Sequence, residues 1–87
     1  TTAGLPQPAD ATVTLAWDPS PEPDIAGYIV YSRVLGGTYT PALTVTNGTT
    51  GTIEGLQGGT TYFFVATAYN TGGLESDYSN EVTFNAP

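Results

Sequence analysis

The sequence predicts an all-β protein folded as a two-layer sandwich, with a single domain covering residues 1–87. Its apolar runs are short, and glycine, proline or asparagine separates them, which is typical of strands joined by tight turns. Residues 12–17 alternate between small or hydroxylated side chains and Val13, Leu15 and Trp17. This period of two indicates a half-buried strand. No window has sustained helical periodicity, so no helix is predicted.

Seven short strands are expected along the chain. The first is an edge strand near residues 2–5, and the strand at residues 12–17 follows it. The others are predicted at residues 25–35, 39–46, 52–56, 60–70 and 78–84. Pairs of turn-forming residues separate most of these runs: Gly36-Gly37, Asn47-Gly48, Gly58-Gly59 and Gly72-Gly73. Frequent turns between short strands favour a sandwich.

The charge balance excludes two classes of partner. Eight acidic residues face a single basic residue, Arg33, which gives a net charge of -7. Nucleic acid binding needs cations that displace counterions from phosphates, so a nucleic acid partner is rejected. Anionic membrane surfaces are disfavoured for the same reason. No apolar stretch approaches the roughly 20 residues of a membrane span, so no membrane insertion is expected.

The chain lacks the side chains that most often carry out catalysis. It has no cysteine, so it has no disulfide and no thiolate metal site. It also has no histidine or lysine to serve as a base or Schiff-base former. A pair of carboxylates could still act together, but a chain of this size folded as a sandwich rarely forms a substrate cleft. We therefore expect no enzyme activity and no cofactor.

Several short motifs, in the right order and over nearly the whole chain, resemble the fibronectin type III family. Trp17 matches the tryptophan of the family's strand B, and its surroundings are typical of bacterial members. The segments that carry the resemblance are Trp17-Asp18-Pro19-Ser20-Pro21, Gly27-Tyr28-Ile29-Val30-Tyr31, Leu56-Gln57-Gly58-Gly59-Thr60-Thr61-Tyr62, Ala68-Tyr69-Asn70 and Ser76-Asp77-Tyr78-Ser79-Asn80-Glu81-Val82. Gly58 stands where the family usually has proline.

The resemblance implies a seven-stranded, immunoglobulin-like sandwich in which strands A-B-E face strands C′-C-F-G. Tyr62 would be the tyrosine-corner residue, with its hydroxyl bonded to backbone upstream. Members of the family act mostly as spacers, adhesion modules or interaction modules. The integrin-binding Arg-Gly-Asp of some animal members is absent, so that activity is not expected here.

The acidic, proline-rich residues 17–24 are expected to form the loop between strands B and C, because proline lacks an N–H donor. The resemblance places the loop at residues 70–77 at the same end of the sandwich, so oxygen-bearing side chains could converge on a hard cation such as Ca²⁺. The calcium candidates are Asp18, Glu22, Asp24 and Asp77. We prefer the alternative that Asp and Ser side chains of these loops bond nearby backbone N–H groups and shape the turns, with no metal bound.

The resemblance also places strands C and F side by side, which predicts an interaction surface on their outward face. Residues of alternate parity point away from the core there. The predicted surface consists of Ile29, Tyr31, Arg33, Phe63, Val65 and Tyr69. A contiguous exposed apolar patch usually marks an interface, and aromatic residues and arginine are enriched at binding hot spots. The alternative is that tyrosine and β-branched residues simply suit strand surfaces.

Three functions are compatible with these features. The first is a non-catalytic, extracellular or cell-surface module that acts as a spacer or protein-interaction domain of a larger secreted bacterial protein. The second is a self-assembling subunit of a surface filament or adhesin, for which the threonine-rich strands and the apolar outer face are suited. The third is a carbohydrate-binding accessory module, in which Tyr31, Phe63 and Tyr69 stack on a polysaccharide.

Overall fold

The computed structural model describes residues 10–87, which form two antiparallel sheets packed face to face. The strands are β1 (Asp10–Ala16), β2 (Ile25–Val34), β3 (Thr40–Val45), β4 (Thr50–Gln57), β5 (Thr61–Asn70) and β6 (Val82–Asn85). One sheet has the order β1-β4 and the other has the order β3-β2-β5-β6. The predicted all-β sandwich is therefore confirmed. The edge strand expected at residues 2–5 lies outside the described residues.

The core lies between the two sheets and is centred on Phe64 of β5 and Val30 of β2, each of which is 1% exposed. Leu56 reaches this core from β4 in the opposite sheet. Trp17 directly follows β1 and packs against the same core, with its ring centroid 5.6 Å from that of Tyr28. The period of two in the sequence thus places one face of each strand inside. Residues 10–87 contain no helix long and apolar enough to cross a membrane.

Tyr62 forms the tyrosine corner that the family resemblance implies. The backbone N–H of Gln57, the last residue of β4, donates a hydrogen bond of 2.8 Å to the Tyr62 hydroxyl oxygen. Between them Gly59 has a φ of 78°, a left-handed conformation that glycine adopts at little cost. The Gly59 N–H donates to the Ala86 carbonyl at 3.0 Å, and this bond fixes the end of β6 beside the corner.

The bounds of β4 differ from the sequence prediction, which starts this strand at residue 52. In the structure it begins at Thr50, because Thr50 and Gly51 pair with Ala16 and Leu15 at the end of β1. Leu43, Val45 and Trp17 crowd around the position that a Cβ at Gly51 would occupy. Glycine at this position therefore lets the strand continue beneath those side chains.

The edge of the four-stranded sheet beside β5 is interrupted before β6 begins. The sequence predicts a strand at residues 78–84, whereas β6 covers only Val82–Asn85. The cause is a pair of serines that bind β5 through both backbone and side chain. Ser76 and Ser79 donate their N–H groups to the carbonyls of Ala68 and Ala66 at 2.8 Å. Their Oγ atoms accept from the N–H groups of the same alanines at 2.9 Å. We call residues 75–81 the bulged segment.

Candidate interaction surface

The outer face of the four-stranded sheet carries a cluster of aromatic and charged side chains, which we call the outer cluster. Strands β2 and β5, the loop before β3 and the bulged segment all contribute to it. Its members are Tyr31, Arg33, Tyr39, Phe63, Thr67, Glu75, Tyr78 and Glu81. In the antiparallel register Tyr31 pairs with Val65 and Arg33 with Phe63, so alternate residues of the two central strands share this face.

One half of the outer cluster is organised around Arg33. Its Nη2 lies 3.1 Å from Oε2 of Glu81, and the hydroxyl of Tyr39 donates to the same carboxylate oxygen. The guanidinium carbon lies 4.2 Å from the ring centroid of Phe63 and 5.3 Å from that of Tyr39. The cation is therefore held between two aromatic rings and a carboxylate, a combination of cation–π and charge-assisted contacts.

The other half of the cluster is organised around Glu75 and contains no cation. The Tyr31 hydroxyl donates to Oε2 of Glu75, and Thr67 Oγ1 donates to the same oxygen at 2.7 Å. The ring of Tyr78 joins the two halves, because its centroid lies 5.3 Å from that of Tyr31 and 5.4 Å from that of Tyr39. Interplanar angles of 58° and 57° are tilted arrangements, which aromatic pairs favour over a face-to-face sandwich.

The hydrogen bonds of the cluster shift the pKa values of its members. Bonds from Tyr31 first and Thr67 second lower the pKa of the Glu75 carboxyl, since each donor favours the ionised form. The bond from Tyr39, followed by the Arg33 contact, lowers the pKa of Glu81 in the same way. Conversely, donation to Glu75 raises the pKa of Tyr31. Both carboxyl groups are therefore ionised across the neutral pH range.

Comparison with known proteins places this architecture in a family. The family model described as "Fibronectin type III domain" matches residues 6–85. The chain belongs to the fibronectin type III family. The twitchin kinase region from C. elegans (Fn31-NL-kin-CRD-Ig26) is a solved structure similar to it, with a TM-score of 0.80 and 28% sequence identity. The match covers 92% of this chain and 15% of the twitchin chain, so this chain spans a small part of that structure's length.

Family membership establishes the general role of the chain. Fibronectin type III domains are typically modules that provide spacing or interaction in larger proteins, where they sit beside other domains, as in the twitchin region. They are generally non-catalytic. The strand order of the two sheets is that expected for the family, with β1 and β4 as strands B and E and with β3, β2, β5 and β6 as strands C′, C, F and G.

The fibronectin type III fold brings together only part of the predicted interaction surface. Tyr31, Arg33 and Phe63 lie in the outer cluster, as parity requires. Val65 shares their face, but it is only 5% exposed, so it cannot serve as a surface contact. The neighbouring Thr67 is 3% exposed. Thr67 donates to Glu75, and Val65 lines a cleft together with Ser79 and Asn80, so the bulged segment lies beside both residues.

Ile29 and Tyr69 of the predicted surface lie further along the same face. Ile29 is half-buried and pairs with Thr67. Tyr69 pairs with Gly27, and its ring lies across that glycine: a Cβ at Gly27 would be 2.5 Å from the Tyr69 hydroxyl oxygen and 2.7 Å from the carbonyl oxygen of Val45. Glycine in strand C of this domain thus provides the space that the Tyr69 ring occupies.

Parity did not identify half of the outer cluster. The predicted surface omits Tyr39, which lies in the loop directly before β3. It also omits the three members that the bulged segment supplies, Glu75, Tyr78 and Glu81. These three are spaced at intervals of three residues, which fits neither strand nor turn periodicity. The serines at 76 and 79 are the local signal, since such residues compete for backbone hydrogen bonds and interrupt regular pairing.

The two acidic loops of the domain are shaped by hydrogen bonds. The Ser20 N–H donates to the Tyr28 hydroxyl at 2.8 Å, and the Thr71 N–H donates to the Asp24 carbonyl at 3.1 Å, which ties the loops together. Asn70 Oδ1 accepts from the N–H groups of Gly72 and Leu74. Within residues 10–87 no three acidic side chains lie close enough to hold a metal ion, and this includes the calcium candidates Asp18, Glu22, Asp24 and Asp77.

One open cleft of about 500 Å³ lies between the end of β1 and the bulged segment. Its lining includes core side chains such as Trp17 and Phe64, together with Ser79 of the bulged segment. Asp18 is the one ionisable residue among the described residues that line it. These residues therefore offer no pair of groups for general acid–base chemistry.

Proposed function

We propose that this fibronectin type III domain is a non-catalytic module of a larger extracellular or cell-surface bacterial protein, in which it spaces neighbouring domains and contacts a protein partner. Two segments that are typical of bacterial members support the bacterial assignment. They are Trp-Asp-Pro-Ser-Pro, at the start of the loop between strands B and C, and Ser-Asp-Tyr-Ser-Asn-Glu-Val. The absence of cysteine is compatible with export. The contact surface is the outer cluster.

The observation that carries this proposal is the ordered, exposed aromatic surface around Tyr78. Its side chain is 54% exposed, although its ring packs between two other tyrosines. Tyrosine and arginine at such positions are the usual anchors of protein interfaces. Because hydrogen bonds already fix Tyr31 and Tyr39, a partner would lose little entropy in ordering them.

Chemical labelling of Tyr78 tests this function. The tyrosines of the 87-residue chain and of the longer parent protein, isolated with its native partners, would be nitrated and quantified by mass spectrometry. We expect rapid nitration of Tyr78 in the isolated chain and several-fold protection in the parent protein. Tyr62, which is fixed in the tyrosine corner, is the internal control and should react equally in both. Equal labelling of Tyr78 in the two samples would contradict a contact on this face.

The edges of the four-stranded sheet favour a module over a self-assembling filament subunit. Edge strand β3 carries Pro41, which has no N–H to donate to another strand. On the opposite edge, the bulged segment interrupts regular pairing just before β6. Proline and bulges are the devices by which sheets resist edge-to-edge polymerisation. This arrangement therefore supports the hypothesis of a module over that of a filament subunit.

The carbohydrate-binding alternative requires open rings at Tyr31, Phe63 and Tyr69. The Phe63 ring is capped by Arg33, and the Tyr69 ring lies across Gly27, so the three rings have different surroundings. This arrangement favours a protein partner over a stacked sugar. Polysaccharide titration of the wild type and of a Tyr31→Ala, Tyr69→Ala double variant tests the alternative, and equal affinities would refute it.

A further inference from the structure

We propose that the Glu75 half of the outer cluster is a binding site for an arginine side chain supplied by a protein partner. This inference rests on the proposed function, because it names the chemistry of the partner that the outer cluster contacts. The site consists of the Glu75 carboxylate and the rings of Tyr31 and Tyr78. The group that binds there is a guanidinium, which contacts the rings and the carboxylate as Arg33 does in the other half.

The Arg33 half is the template for this assignment, because it shows how this surface binds a guanidinium. There the cation lies over the ring of Phe63 and beside that of Tyr39, and it reaches the Glu81 carboxylate at 3.1 Å. Tyr39 donates its hydroxyl proton to the same carboxylate. The elements of the site are therefore two rings, one carboxylate and one tyrosine hydroxyl that orients the carboxylate.

The Glu75 half repeats these elements without the cation. Tyr31 donates to Glu75 as Tyr39 donates to Glu81, and Tyr78 supplies the second ring. Both hydroxyl donors of this half, from Tyr31 and Thr67, reach Oε2. Among the described residues no side chain donates to Oε1 of Glu75. A carboxylate has about four acceptor positions, so capacity remains for a guanidinium.

Charge complementarity requires the cation to come from another molecule. Arg33 is the only basic side chain in the sequence, and Glu81 already binds it. The domain has a net charge of -7, so its field attracts cationic partners. Arginine fits better than lysine, since its planar guanidinium stacks on aromatic rings and binds a carboxylate through two N–H groups at once.

A peptide titration tests the site directly. The 87-residue chain would be titrated with the peptide acetyl-Gly-Arg-Gly-amide, and the ring resonances of its tyrosines would be followed by NMR. A matched peptide with citrulline in place of arginine keeps the shape of the side chain and removes its charge. We expect weak, saturable shifts at Tyr31 and Tyr78 with the arginine peptide and none with the citrulline peptide.

Two substitutions complete the test. Glu75→Gln should weaken arginine-peptide binding by roughly tenfold or more, because it removes a charge-assisted hydrogen bond. The control Glu54→Gln removes the same charge from β4 in the other sheet and should leave binding unchanged. Melting curves would confirm that both variants fold. Should Glu75→Gln lose its fold, the comparison of arginine and citrulline peptides still decides the question in the wild type.

The outcomes also separate this inference from the proposed function. An equal response to both peptides, a uniform weak response at all tyrosines, or no response would overturn the arginine site. Protection of Tyr78 in the parent protein would then still support the interaction face, with a partner of different chemistry. Loss of both the arginine response and the protection of Tyr78 would overturn both proposals.

Discussion

The guanidinium of Arg33 lies over the ring of Phe63, 4.2 Å from its centroid, on the strand that pairs with its own. Arg33 is also the only basic residue of the chain, and its side chain is 23% exposed. The single cation is therefore used within the surface of the domain, where it fixes Glu81 and, through that carboxylate, Tyr39. This arrangement makes the outer face of the sheet an ordered surface before any partner binds.

Replacement of Trp17 by alanine should remove about 3–5 kcal/mol from the free energy of unfolding. The indole packs against the buried core and against Tyr28, so its removal leaves a large gap between the sheets. Denaturant unfolding measures the loss, with the exposed Thr12→Ala as a control that should change stability by less than about 0.5 kcal/mol. A loss under about 1 kcal/mol for Trp17→Ala would show that the indole is not part of the core.

Replacement of Tyr62 by phenylalanine should cost about 1 kcal/mol of stability, because the Gln57 N–H loses its acceptor in the tyrosine corner. The midpoint of urea unfolding should fall while its slope stays constant. Tyr78→Phe is the matched control, since no hydrogen bond to the Tyr78 hydroxyl exists among the described residues. Equal midpoints for the two variants would mean that the corner bond does not stabilise the domain.

Replacement of Ser76 and Ser79 by alanine should expose two amides of β5 to exchange with solvent. The two hydroxyls accept from the N–H groups of Ala68 and Ala66, so each substitution should cost about 1 kcal/mol. Hydrogen exchange by NMR should be faster at Ala66 and Ala68 in the variant than in the wild type. The amide of Val30, which lies in the core, is the reference. Unchanged protection of those amides would indicate that the bulged segment does not depend on its serines.

Acidification should weaken the outer cluster through Glu75 and Glu81. Both carboxyls have pKa values lowered in the folded state from the ordinary value of 4.5, chiefly by the hydroxyls of Tyr31 and Tyr39. Folding therefore favours their ionised forms. Their contribution to stability is present above pH 4.5 and is lost as the pH falls through the folded-state pKa values.

A comparison of variants isolates this effect from the general relief of charge repulsion. The melting temperature of the double variant Glu75→Gln, Glu81→Gln should lie below that of the wild type at pH 7, and the gap should close towards pH 3. The matched variant Glu22→Gln, Glu54→Gln removes the same charge from carboxylates that accept no hydrogen bond within residues 10–87. It should show no such loss at pH 7. A gap that stays constant with pH would contradict the role of the two carboxylates.

The sequence was sufficient to predict the architecture because its signals are local. They are the alternation of apolar and polar residues along each strand and the turn-forming residues between strands. Phe64 and Val30 lie in the core, and Arg33 and Phe63 face outward together, as the period of two requires. The tyrosine corner at Tyr62 followed from the family resemblance. These features depend on local periodicity and on a known strand order.

The composition of the outer cluster was not predictable in the same way. Val65 has the parity of a surface residue, yet it is 5% exposed and lies beside Ser79 and Asn80 of the bulged segment, which lacks strand periodicity. Tyr78 joins the cluster only because Ser76 and Ser79 hold that segment against β5. Long-range placement of irregular backbone decides both facts, and periodicity carries no information about it.

The most direct test of the account is the solution mass of the 87-residue chain, measured by light scattering after gel filtration over a wide range of concentrations. It shows whether the outer face binds a different molecule or a second copy of this chain. We expect a monomer of 9.0 kDa at every concentration, since Pro41 and the bulged segment block the edges of the four-stranded sheet. Growth into dimers or open-ended polymers that Tyr31→Ser or Phe63→Ser abolishes would contradict this and would identify the chain as a self-assembling subunit.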